Sequence, residues 1–158
     1  MKVKEVLRIK GNTLFSVTPE SKLSDCVIMM AEKDMGSLVV MSQGKLAGML
    51  TFREVLRILA KRQIEQRVGP TPPFTEITVG EVMNAQPARA HSAMEVDELR
   101  KMMLENHQRY MPVVDEDVLQ GVISFHDVAK AILEEQEFEN KMLKGYIRDW
   151  PMEESNQS

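Results

Sequence analysis

Two stretches decide the fold: Leu38–Val55, LVVMSQGKLAGMLTFREV, and Met111–Val128, MPVVDEDVLQGVISFHDV, which superpose at a constant offset of 73 residues without a gap. Self-similarity is read first because a repeat constrains every later assignment. Extending the register upstream to Val17 over Ala90 pairs Met29 with Met102, Met30 with Met103 and Glu32 with Glu105. Within the core stretch it pairs Val40 with Val113, Leu46 with Leu119, Gly48 with Gly121, Phe52 with Phe125 and Val55 with Val128. The matches gather at apolar and glycine positions. Farther upstream, Lys4–Leu7 (KEVL) answers Gly80–Met83 (GEVM) at an offset of 76, so the first copy carries three extra residues around Gly11 and Asn12. Loops absorb such insertions.

Each copy reads alike. From Leu23, apolar residues at Cys26, Val27, Met30 and Ala31 follow the spacing of an amphipathic helix, as do Val96, Leu99, Met103 and Leu104 in the second copy. A short apolar run, turn residues and a second apolar run then predict a hairpin, ending at Thr51 or Ser124. New helices follow near Arg53–Gln66 and His126–Tyr146. With short strands at Phe15–Val17 and Ala88–Ala90, each unit is β-α-β-β-α. The segment Val68–Thr75, VGPTPPFT, has the composition of a linker. The expected organisation is a first repeat over 1–67, a linker over 68–75, a second repeat with an extended C-terminal helix over 76–146, and a tail over 147–158. A unit of this size holds little core alone, so the fold expected is α+β, the two repeats packed sheet to sheet about a pseudo-twofold axis.

Composition narrows the function. With 20 basic and 24 acidic residues the net charge is −4, which gives no field to hold nucleic acid or an anionic membrane. The single cysteine, Cys26, forms no internal disulfide, and no run of apolar residues is long enough to span a bilayer, so a cytoplasmic setting is expected. Thirteen methionines against 8 aromatic residues describe an adaptable core, or a surface that repacks around a ligand.

The chemistry gathers behind each hairpin. Gly48–Val55 and Gly121–Val128 share one plan: glycine, two apolar residues, a hydroxyl, phenylalanine, a basic-capable residue and a carboxylate. A hydroxyl where a strand gives way to a helix can cap that helix or donate to a phosphate near its N-terminus. The carboxylate three residues on, Glu54 or Asp127, can accept the two hydrogen bonds of a ribose diol, with Arg53 or His126 in reach of a phosphate. The same spacing is also a capping box. Both readings stand on the sequence.

These residues, with Met35–Val40 (MGSLVV), Arg109–Val114 (RYMPVV) and Val79–Met83 (VGEVM), closely resemble a tandem pair of CBS domains, the Bateman module. The resemblance covers about Val3 to Ile132, and the tail Ala131–Ile147 is similar to the C-terminal helix of stand-alone CBS-pair proteins of bacteria and plant organelles. It implies a regulatory sensor of adenosine-containing ligands (AMP, ADP, ATP, NAD or S-adenosylmethionine) that signals occupancy to an unidentified target protein and forms a homodimer. It implies no catalysis and no cofactor beyond that ligand. Carried over by residue, Thr51 with Glu54 and Ser124 with Asp127 meet the ribose, and Arg53 and His126 the phosphate. Gly36, Ser37, Leu38, Arg109, Tyr110 and Met111 meet the adenine, and Val17 and Ala90 line the clefts. The family carboxylate is usually Asp, which Asp127 fits; Glu54 is one methylene longer and shifts or crowds a ribose. A histidine against a phosphate would titrate near neutrality. The rival reading is a structural or interaction module whose clefts are filled by side chains, towards which Glu54, Met49 and Met111 point.

Other chemistries fail on geometry. Ser124, His126 and Asp127 lie too close in sequence on one turn to align nucleophile, base and orienter. His91, His107 and His126 have no metal-ligand spacing. Neither a dinucleotide-binding nor a P-loop glycine pattern occurs. Cys26 falls on an apolar stripe, His91 reads as a surface residue, and Trp150 either packs on a partner subunit or stays half exposed.

Overall fold

A computed structural model describes residues 1–11 and 14–149. The first repeat contains α1 (Val3–Lys10), β1 (Ser16–Val17), α2 (Leu23–Glu32), β2 (Ser37–Ser42), β3 (Lys45–Thr51) and α3 (Phe52–Glu65). After a 3-10 turn at Phe74–Glu76, the second contains α4 (Val79–Val82), α5 (Val96–Glu105), β4 (Tyr110–Asp115), β5 (Val118–Ser124) and α6 (Phe125–Asp149).

Local chemistry sets these boundaries twice over. Helices α2 and α5 end at the equivalent residues Asp34 and His107, both left-handed at φ 51° and 52°. The next N–H groups close back over the helix, Met35 N to Met30 O at 2.9 Å and Gln108 N to Met103 O at 3.0 Å, which satisfies carbonyls the helix leaves open. The hairpins turn through two-residue loops with positive φ, Gln43 and Gly44 in one copy and Glu116 and Asp117 in the other, the twist that flanking strands favour. Both hairpins slip register at the same place, Val40/Met41 and Val113/Val114.

The sheets are β1-β2-β3 and β4-β5. The strand expected at Ala88–Ala90 shrinks to a single parallel bridge from Ala90 to Val113, because Pro112 stands where Val39 of the first copy donates its N–H to the Phe15 carbonyl, and the Ala88 carbonyl accepts from the Gln108 side chain instead. The two sheets face each other through Val39, Leu46, Met49 and Val122, with Met41, Tyr110, Val114 and Leu119 packed around them. Leu104, placed by its spacing on the apolar stripe of α5, is 59% exposed, because the buried stripe runs through Val96, Leu99 and Met103. Trp150 lies outside the described residues.

The helix that opens each repeat packs on the other one. Val3 and Val6 of α1 are buried among Met94, Leu99, Met111 and Ile123 of the second repeat. Val79 of α4 is buried among Leu23, Cys26, Leu38 and Leu50 of the first. Backbone bonds repeat the exchange: Val3 N donates to Met94 O and Val79 N to Ser21 O. The bridges Lys2 to Glu95 and Lys22 to Thr78 are related by the same repeat offsets, the signature of a pseudo-twofold axis.

Candidate functional site

At each strand-to-helix junction the hydroxyl and carboxylate are bonded to one another. Glu54 Oε1 accepts from Thr51 N at 2.8 Å and from Thr51 Oγ1 at 2.6 Å, while Arg53 N donates to Thr51 Oγ1 at 3.2 Å. In the second copy Asp127 Oδ2 accepts from Ser124 N at 2.8 Å, and Asp127 N donates to Ser124 Oγ at 3.0 Å. Both junctions are therefore working helix caps. Glu54 is only 6% exposed, the one buried charged residue among those described. Both of its bonds use Oε1, so its second oxygen keeps acceptor capacity.

Each junction opens on a cleft between the repeats, with mixed walls. The larger, about 610 Å³, joins Thr51, Arg53 and Glu54 of the first repeat to Arg109, Tyr110 and Ala88 of the second. The smaller, about 370 Å³, joins Ser124 of the second repeat to Gly36, Ser37 and Phe15 of the first, together with Lys10. Tyr110 is common to both. Gly36 accommodates it, since a Cβ there would lie 1.7 Å from the Tyr110 hydroxyl. At the mouth of the larger cleft the Arg53 guanidinium donates to the His107 carbonyl.

The site residues expected from the sequence divide cleanly. Thr51, Arg53, Glu54, Arg109 and Tyr110 meet around the larger cleft, and Ser124, Gly36 and Ser37 around the smaller. Asp127 is not itself a lining residue of the smaller cleft and joins it through Ser124 and Lys10, which are. Leu38 and Met111, the third residue of each adenine-edge stretch, point into the repeat cores at 1% and 0% exposure. Val17 and Ala90 also pack on the cores, and Phe15 and Ala88, two residues earlier, form the cleft walls. His126 is exposed and lines neither cleft.

Sequence reasoning missed Lys10. Its ammonium lies 2.7 Å from Asp127 Oδ2 and donates to the Val122 carbonyl at 2.6 Å. Burial pushes the Asp127 carboxyl up, but the Lys10 ammonium and the Ser124 N–H and hydroxyl outweigh it and hold the group below the ordinary carboxylate range. The signal that could have found it is the upstream offset of 76, which sets Lys10 over Gln86, a residue lining the other cleft.

No group of His, Cys, Asp or Glu among the described residues could hold a metal ion, and no described helix is long and apolar enough to cross a membrane. Two interlocked repeats with paired clefts at their junction define a tandem-repeat module with two pseudo-equivalent sites. The CBS domain model matches residues 3–61 and 79–134, and the chain belongs to that family. It is 30% identical over 115 residues to the CBS domain-containing protein YhcV of Bacillus subtilis, covering 72% of this chain and 75% of that one. It is 28% identical over 155 residues to the mitochondrial CBS domain-containing protein CBSX3 of Arabidopsis thaliana, covering 92% and 71%. Among solved structures, the CBS domain structure NE2398 aligns at a TM-score of 0.75 with 26% identity, over 84% of this chain and 98% of that one. CBSX2, solved in complex with AMP, has the same fold at a TM-score of 0.68 and 22% identity, over 85% and 98%. So has the CBS pair of MJ0100, solved with 5'-methylthioadenosine and S-adenosyl-L-methionine, at 0.70 and 18%, over 85% and 98%.

Proposed function

We propose that this protein is a regulatory module that binds an adenosine-containing ligand between its repeats and passes its occupancy to a partner protein, without catalysis of its own. The observation that carries the reading is the larger cleft. Its 610 Å³ falls within the roughly 300–1,000 Å³ of small-molecule sites. One wall supplies a hydroxyl and a carboxylate for a ribose, an arginine stands at its mouth, and the facing wall supplies Gln108, Arg109 and Tyr110. The AMP and S-adenosylmethionine complexes of CBSX2 and MJ0100 support the ligand class. Cys26, buried and unpaired, suits a reducing compartment such as the cytoplasm.

The rival reading is an interaction module with self-filled clefts, and the Lys10 to Asp127 ion pair favours it for the smaller cleft. Titration calorimetry of the ligand-stripped protein with AMP separates the two. The sensor reading expects saturable binding, weakened about tenfold or more by Arg53→Ala, since a hydrogen bond to a charged group contributes about 1.5–3 kcal/mol. Arg53 is exposed, so the variant folds. No binding of AMP, ATP or S-adenosylmethionine at millimolar concentration would favour the interaction module.

A further inference from the structure

The two clefts are related by the repeat, yet the chain enters them differently. Helix α4 ends at Val82, and Asn84 then pairs its backbone with Met49, N to O at 2.9 Å and O to N at 3.0 Å. Helix α1 runs one turn further, to Lys10. At the equivalent strand edge, Val122 therefore receives the Lys10 ammonium at 2.6 Å in place of a backbone partner. The same ammonium contacts Asp127 Oδ2 at 2.7 Å. Gln86, the counterpart of Lys10, is neutral; its backbone N–H bonds Asn84 Oδ1 at 3.1 Å, and the bonds to Glu54 come from Thr51. One carboxylate thus carries a cation supplied by the chain, and its twin carries none from the equivalent position.

We infer that Lys10 is an internal occupant of the Ser124 cleft, so that the chain takes one adenosyl ligand, in the Thr51 cleft, where its symmetry offers two sites. The inference rests on the nucleotide-binding reading above and adds which of the clefts is open. Asp127 Oδ1 keeps acceptor capacity as the second oxygen of Glu54 does, but a ribose diol that uses both carboxylate oxygens must compete for Oδ2 with an ammonium already at charge-assisted distance, and displacing that ammonium leaves the Val122 carbonyl without its donor. Asp127 is 19% exposed at its side chain and Lys10 33%, so solvent replaces the broken contacts only in part. The remaining space, about 370 Å³ against 610 Å³, sits near the lower limit for such ligands. The residue type that a sequence comparison favours for ribose, Asp127, is by this account the one held shut. Glu54, the departure, lines the cleft left open.

Lys10→Met tests this, because it keeps most of the apolar stem and removes the charge. Calorimetry with AMP is expected to give one site per chain for the wild type and two for the variant. The added site should disappear when Asp127→Ala is combined with Lys10→Met. Two sites in the wild type, or one unchanged site in the variant, overturns the inference while leaving nucleotide binding intact. If neither protein binds AMP, the nucleotide reading fails by itself, and the plug is then judged by carbon-detected NMR titration of the Asp127 carboxyl. A pKa that rises in Lys10→Met supports the internal contact, and one that stays put refutes it.

Discussion

At the residue scale, the most constrained positions are those where backbone meets backbone. A Cβ on Gly48 would lie 2.6 Å from the Asn84 carbonyl oxygen and 2.9 Å from the Met83 sulfur. The sulfur can swing away. The carbonyl cannot, because Asn84 is tied to Met49 by two backbone bonds. Gly48→Ala is therefore expected to lower stability by about 1–3 kcal/mol, the usual cost of overpacking, as read from the urea midpoint. An unchanged midpoint would mean that the bridge to Asn84 is not held in solution. The glycine was legible in the sequence as half of a repeated pair with Gly121, but its reason was not. The contact joins residues 48 and 84 across a boundary that local pattern does not cross. The capping box was legible for the opposite reason: Thr51 to Glu54 and Ser124 to Asp127 each lie within a single helical turn, so spacing and geometry coincide.

At the scale of elements, the repeat gave away α2, α3, α5, α6 and the two hairpins, since apolar periodicity and turn residues agree in both copies. The exchanged opening helices were not legible. KEVL and GEVM are too short to carry a period, and the three extra residues break the register there. Nor could the sequence tell that α1 outlasts α4 by a turn, which is what brings Lys10 to Asp127. The exchange makes a directional prediction. Val6 is 2% exposed and lies in the core of the second repeat, although it stands at the start of the first. Val6→Ala should remove about 1–2 kcal/mol. In native-state hydrogen exchange the loss of protection should fall on β4 and β5 before β2 and β3. Equal loss in both hairpins, or loss led by β2 and β3, would contradict the packing.

At the scale of the whole molecule, the outer helices carry exposed apolar side chains among their charges. Leu56 and Leu59 on α3 are 69% and 47% exposed, and Leu133, Phe138 and Met142 on α6 are between 58% and 63% exposed. Where such side chains adjoin over a large area they mark association surfaces. The expected assembly is a homodimer, so light scattering at micromolar concentration should give twice the 18.0 kDa of one chain. A mass of one chain would exclude it. The methionine count left open an adaptable core or a surface that repacks around a ligand, and which side chains face outward depended on how helices sit over the sheets.

The reciprocal exchange of α1 and α4 has a topological consequence. Each repeat offers a groove that it does not fill and a helix that it does not bury itself, so a half-molecule is self-complementary with another half-molecule. The proline-rich stretch that follows α3 connects the two halves, with Phe74 packed against the core of the first repeat and the Pro72 carbonyl accepting from Arg62. It turns what would be an association between chains, dependent on concentration, into a closure within one chain. The module is in this sense a dimer closed within one chain.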